Sequence, residues 1–580
     1  MLCTWRFAMN AIWLIVAGLV LYFLGYKFYA KYLSEKIFKL NPNAPVPSHT
    51  MEDGADYVPT NRYVLFGHHF ASIAGAAPIV GPAIAVIWGW LPAFLWVVLG
   101  AVLMGCVHDL SALVLSVRHK ARSIGDIAGD LIGKKAMTAY LIIMFFVVIL
   151  LMAIFLRLIA GLLTDYPQVV FPAVALVVIA IGIGLLMYRT KIGLGLASAV
   201  GIILMLLSIW WGTEHHYSLM DQFVLKSQGY TWIILLVFYS FIASVLPVWL
   251  LLQPRDYLES FKLYAGLILL FVGIMVTGPV IVAPAVRMVV PGAPPIWPFL
   301  FVTIACGALT GFHSIVASGT TSKQIANEKD ITFVGYGAMA GESALALCAV
   351  VACTAGFTAA NGMTGAQRWM AHYGSWGSAA KLSAKLGAFI EGSGYFLSSL
   401  GIPKQLGITF MALIIVAFAL TTLDSACRLG RYILAEFGRQ HRMSFLKNAY
   451  IGSAIAAGVA FLLAVLPIKP GQSVGQLLWP LFGTTNQLLA ALVFATVTIY
   501  LVKKKRPHWF ISIPLVLVAI TTISAMIWNI RAYIMKRNFP LAVIGSIILL
   551  AGFALIVLSC GSYIRAKIEA KQEPEPSQAN

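Results

Sequence analysis

Apolar residues gather into fifteen runs along this chain, each able as a helix to cross about 30 Å of hydrocarbon, which takes roughly 20 residues. The predicted spans are 9–32, 66–89, 91–117, 136–163, 168–187, 193–212, 231–252, 262–286, 297–321, 334–358, 406–430, 447–467, 474–501, 509–531 and 540–563. The first lacks a small-x-small cleavage site and ends in Lys27, Lys31, Lys36 and Lys39, so it reads as a retained helix and not a signal peptide. The polar stretches between runs divide by charge. Those after odd-numbered spans are basic, among them "SVRHKARS", "YRTK", "QPRDYLESFK", "TTSKQIANEKD", "RLGRYILAEFGRQHRMSFLK" and "KKKRPH", whereas "GTEHHYSLMDQ" and "PIKPGQS" are poor in Lys and Arg. Short cytoplasmic loops retain basic residues, which puts the N-terminus outside and the C-terminus in the cytoplasm. Arg531, Lys536, Arg537 and the basic residues of the long external segment 359–405 run against the bias.

The second run, with "GHHFASIAGAAPIVGPAIA" at 67–85, undermines its own helix. Gly75, Pro78, Gly81 and Pro82 weaken or remove intrahelical hydrogen bonds, and lipid satisfies none of the freed groups, so the break must face protein, water or solute. Pro247 is expected to interrupt the seventh run, which has the opposite orientation. Two broken helices in opposed five-helix units predict an inverted repeat with a midplane site, spans 2–6 (66–212) against spans 7–11 (231–430). One helix and a linker (1–65) precede them; four helices (447–565) and a polar tail (566–580), expected to be disordered, follow.

Composition agrees with an all-α polytopic membrane protein: 60% of the 580 residues are hydrophobic and 11% charged, with a mean hydropathy of +0.88. The net charge of +19 sits in short loops, as topology requires, and does not point to nucleic acid. The seven cysteines form no CxxC pair and read as small core residues.

Six strings, "PTNRYVLFGHHFASIAGAAPIVGPAIAVIWGWLPA", "GCVHDLSAL", "LLQPRDYL", "TIACGALTGFHSIVASGTTSKQIANE", "ALTTLDSACRLGRY" and "LWPLFGTTNQLLAAL", closely resemble, in order over about residues 58–500, the carbon starvation protein A family. The resemblance implies a bacterial inner-membrane transporter of peptides or pyruvate, with the LeuT-like five-plus-five inverted fold of the amino acid, polyamine and organocation carriers. It also implies a cation site: carriers of this fold hold sodium with a carbonyl and two hydroxyls on the eighth repeat helix. Ala317, Thr320 and Thr321, at i, i+3 and i+4 in the ninth run, resemble that set. Hydroxyls that only bond back to their own helix are the alternative.

Ionisable residues inside a membrane are costly and are functional candidates by default. His108, Asp109, His313 and Glu342 are candidates for proton coupling, and His313 also for substrate contact beside Ser72, Gly75, Ala76, Pro78, Gly81 and Pro247. A transition metal on His68 and His69 is a further alternative, without HxxxH spacing to support it. Asp424 and Arg428 are expected to pair at i, i+4 near the cytoplasmic mouth, and Arg62 belongs to an inner gate by fold analogy. "LFGTTNQ" in the thirteenth run reads as an interruption that lines a path or bonds a neighbouring helix. Without a GxxxxGK[ST] phosphate loop, ATP is not the energy source within this chain. The expected function is a secondary transporter for short peptides or small carboxylates, driven by sodium or protons; an intramembrane redox protein using buried His and Cys is the alternative from another class.

Overall fold

A computed structural model describes residues 9–54, 56–189, 194–215, 229–247, 250–378, 382–466 and 474–572. Stretch 467–473, half of "YRTK" and most of "GTEHHYSLMDQ" lie outside them, as do residues 573–580 of the tail. Residues 566–572, expected to be disordered, instead continue the last helix, Phe539–Gln572.

Eleven described helices are long and apolar enough to cross a membrane, twelve counting the bent second span. The other three expected spans are shorter or divided: Tyr230–Val245, Ala449–Ala464, and the pair Ile296–Thr303 and Phe312–Gly319. The fourth span, Lys134–Asp165, and the eleventh, Lys404–Gln440, pack on each other at the centre. The fifth and sixth, Pro167–Leu186 and Gly195–Glu214, pair as a hairpin whose Val174, Val178 and Leu206 are exposed, as lipid contact requires.

The second span bends by 47° between Arg62–Ile73 and Ala77–Trp88. Its first half is capped by Asn61, whose Oδ1 accepts from Tyr63 N at 2.9 Å, and its second half starts with Pro78 where a missing N–H costs nothing. At the break Gly75 N donates to Ile73 O at 2.9 Å, so the Ala71 carbonyl loses its helical donor.

The second broken helix is not where Pro247 led us to expect it. Tyr230–Val245 runs unbroken, Leu246 turns extended (ψ 151°) as a residue before proline prefers, and Pro247 lies in the connection to the eighth span. The break falls in the ninth span, where Ile304–Gly311 separate two short helices and Gly307 takes φ +88°. The two breaks touch: a Cβ on Gly81 would lie 2.7 Å from Thr303 O.

The thirteenth span, Leu477–Lys503, shows no interruption. Pro480 lies inside this helix, and Tyr533 and Asn529 of the fourteenth span donate to the carbonyls of Leu477 (2.7 Å) and Pro480 (3.2 Å) around it. Its polar residues close the ninth-span break instead. Asn486 Oδ1 accepts from Phe312 N at 2.7 Å, Asn486 Nδ2 donates to Thr310 at 2.6 Å, and Gln487 donates to Phe301 O at 2.7 Å.

Candidate functional site

A cavity of about 780 Å³ runs from exposed Gly54 and Asp56 to buried Ser72 beside the second-span break. His68, Asp256, Thr320, Arg428 and Pro247 also line it, so four spans contribute, with the connections before the second span, after the seventh and after the ninth. Its mouth lies on the side of Lys323 and the other basic connections. Ser72 Oγ donates to His68 O at 2.8 Å, while His68 Nε2 has no hydrogen-bond partner. His68 and His69, neighbours on a helix, diverge: His69 Nδ1 meets Thr321 Oγ1 at 2.8 Å. Among the described residues no three His, Cys, Asp or Glu side chains come together as a metal site.

Four of the ionisable candidates converge into one buried network. Asp109 of the third span takes His108 Nδ1 at 2.8 Å on one oxygen and His313 Nδ1 of the ninth at 2.7 Å on the other. The opposite nitrogen of His313 stands 3.3 Å from Glu342 of the tenth, and all four side chains are at most 1% exposed. A carboxylate only accepts, so both Nδ1 atoms carry hydrogen. A further proton taken up by the network would have His313 Nε2 and Glu342 as its acceptors.

The expected hydroxyl triad does not form a helical face, because that helix ends at Gly319. Thr320 bonds back to Val316 O at 3.1 Å, Thr321 holds His69, and Ala317 is fully buried. Two hydroxyls that do lack a partner belong to Thr421 and Thr422 of the eleventh span, both buried. Thr422 faces the break: a Cβ on Gly75 would lie 2.5 Å from Thr422 Oγ1. Pro78 and Gly81 are buried against the ninth-span break, Ala76 is fully buried, and none of the three lines this cavity.

Asp424 and Arg428 do not pair with each other. Asp424 Oδ2 takes Arg255 Nη1 of the eighth span and the Tyr239 hydroxyl (2.8 Å), while Arg428 Nη2 caps the seventh span by donating to Ala243 O (3.0 Å) and Leu246 O (2.5 Å). Arg62 is exposed, its guanidinium 4.8 Å from the Tyr63 ring, outside the cavity wall. "QPRDYLESFK", read as a basic loop, is instead the buried first half of the eighth span: Arg255, Asp256, Glu259 and Lys262 are at most 4% exposed. Arg255, Glu259 and Lys262 recur at i, i+4 and i+7, a helical spacing of opposite charges that could have revealed them.

The far end of the second span is closed. Arg287 donates to Tyr373 O (2.7 Å) and Gly374 O (3.2 Å), its own N–H to Trp88 O (2.7 Å), and Tyr373 hydroxyl to Ala83 O (2.8 Å). These contacts tie the segment between the tenth and eleventh spans over the break. Within that segment Lys385 lies 4.1 Å from the Trp376 ring, and burial pushes its ammonium down to about 8.

A family model described as "Carbon starvation protein CstA" matches residues 10–525. The Pyruvate/proton symporter BtsT of Escherichia coli (strain K12) is 34% identical, over 89% of this chain and 81% of that one. The Peptide transporter CstA of Bacillus subtilis (strain 168) is 33% identical, over 95% and 96%. Among solved structures, a nucleobase-cation-symport-1 family transporter bound to bromovinylhydantoin is similar at TM-score 0.34 and 13% identity, over 90% of this chain and 97% of that one. That likeness is too loose to place any residue.

Proposed function

Because the chain belongs to the carbon starvation protein CstA family, we propose that this secondary transporter, which is not an enzyme, imports small carboxylates such as pyruvate or short peptides by proton-coupled alternating access in the bacterial inner membrane. The family's description supports use during carbon starvation. The observation that carries the coupling ion is His313 held between Asp109 and Glu342 with no exposure to solvent. With both carboxylates ionised and both histidines neutral, the network would bury two negative charges; one proton on His313 leaves one, and a second makes it neutral. A group whose neutral state needs an added proton is suited to carry one across.

The alternating-access reading draws on packing. The second span packs on the tenth as the ninth packs on the third, and the eighth touches the second as the thirteenth touches the ninth. The fourth meets the eleventh and the seventh meets the twelfth, each across the same axis. We therefore assign the inverted repeats to spans 2, 3, 4, 7 and 8 against 9–13, with the fifth and sixth as an inserted hairpin, in place of 66–212 against 231–430. Lys323 at the cavity mouth supports reading this as an inward-facing form, with the N-terminus outside and the C-terminus in the cytoplasm.

Sodium coupling is the second reading, favoured by the unpartnered Thr421 and Thr422 hydroxyls, the latter beside the Gly75 break. Initial uptake of pyruvate and of dialanine into proteoliposomes, with a pH or a sodium gradient imposed separately, tests both. Stimulation by pH alone, unchanged in a Thr421→Ala/Thr422→Ala variant, is expected; stimulation by sodium alone, lost in that variant, would replace protons with sodium.

A further inference from the structure

The eighth span brings a pair of unlike charges to the cavity that the coupling network does not use. Arg255 commits Nη1 to Asp424 and to the Tyr239 hydroxyl (2.5 Å), and its Nη2 stays 3.5 Å from Asp256 Oδ1, beyond hydrogen-bond reach. Asp256 is 4% exposed, lines the cavity, and its Oδ1 has no hydrogen-bond partner. One guanidinium therefore serves two carboxylates, and with both ionised the trio carries one uncompensated negative charge at the wall. The nearby Glu259 and Lys262 pair closes on itself at 2.7 Å. Of the other cations on the cavity wall, Lys323 lies 3.7 Å from Asp56 at the mouth, and Arg428 turns to the Ala243 and Leu246 carbonyls with its Nε left unpartnered. The wall thus offers a carboxylate short of a cation and, from another span, a guanidinium short of an anion.

We propose that Asp256 is the specificity-determining carboxylate of this cavity, receiving the ammonium group of a solute whose carboxylate meets Arg428; the proposal rests on reading the cavity as the substrate site. A solute with a carboxylate alone would leave Asp256 uncompensated and add a second negative charge beside it. A solute with a free amino group neutralises it.

The test compares pH-driven uptake of dialanine, N-acetyl-dialanine and pyruvate by the full-length protein, and by Asp256→Asn and Asp256→Glu variants with thermal unfolding recorded for each. The expected result is at least a tenfold preference for dialanine over its N-acetyl form, lost in Asp256→Asn and partly kept in Asp256→Glu. Equal uptake of dialanine and its N-acetyl form by the unsubstituted protein, or a preference that survives in Asp256→Asn, overturns the assignment. If Asp256→Asn does not fold, the unsubstituted protein and Asp256→Glu decide alone. Uptake of pyruvate only would remove the role of Asp256 and leave the transport reading standing, whereas uptake of none of the three would remove both.

Discussion

Glu342→Gln keeps the shape of the tenth-span side chain and removes its charge, which isolates the coupling step. In the intact network His313 lies 2.7 Å from Asp109 and 3.3 Å from Glu342. With an effective dielectric constant of about 20, unit charges at these separations attract by about 6 and about 5 kcal/mol. The substitution therefore removes close to half of the attraction on an imidazolium and leaves the Asp109–His313 pair, which is already neutral with one proton. Nothing remains that must take up a proton with the solute. One pH unit is worth about 1.4 kcal/mol, so one-to-one coupling accumulates the transported solute, dialanine or pyruvate, about tenfold per unit at zero membrane potential. The assay is steady-state accumulation in proteoliposomes under a one-unit gradient, beside counterflow exchange without any gradient. The unsubstituted protein should reach about tenfold; Glu342→Gln should stop near onefold while exchange continues. Tenfold accumulation by the variant would refute the role given to Glu342.

Gly75→Ala places a Cβ against Thr422 Oγ1, so uptake should fall at least tenfold and recover in part when Thr422→Ala is added; a double variant as inactive as the single one would mean that this contact is not the cause. Arg287→Ala removes two donors to the Tyr373 and Gly374 carbonyls, each worth about 1.5–3 kcal/mol, and amides of 365–378 should exchange hydrogen tenfold faster or more by mass spectrometry. Because Lys385 is held at about 8 against an ordinary 10.5, the folded chain binds fewer protons than the unfolded one between these values. Stability should therefore rise with pH across that window, by up to about 3 kcal/mol, and Lys385→Met should flatten the dependence of the thermal midpoint.

Helix placement was largely legible, because each apolar run became one helix or one broken pair. Where the breaks fall was less so. "IACGALTG" in the ninth span is nearly as apolar as its flanks, and its interruption depends on Gly307 and on capping by Asn486, nearly 180 positions away. Pro247 marks a helix end where the pattern predicts a mid-span break, and the second break lies two runs further on, in the ninth span. His108, Asp109, His313 and Glu342 stood out one by one as ionisable groups in apolar runs; that they touch is a property of three packed spans, outside the reach of local spacing. Arg255 and Asp256 were hidden by their neighbours: a short stretch with several charges reads as a loop until its partners Asp424 and Tyr239 are brought to it.

The central claim, that solute and proton cross together, is tested most directly by trapping a pH-sensitive dye inside proteoliposomes at equal pH and adding pyruvate or dialanine outside at zero membrane potential. The account predicts acidification of the lumen at the rate of solute entry, absent in Glu342→Gln. Solute entry by the unsubstituted protein with no change in lumenal pH would contradict it.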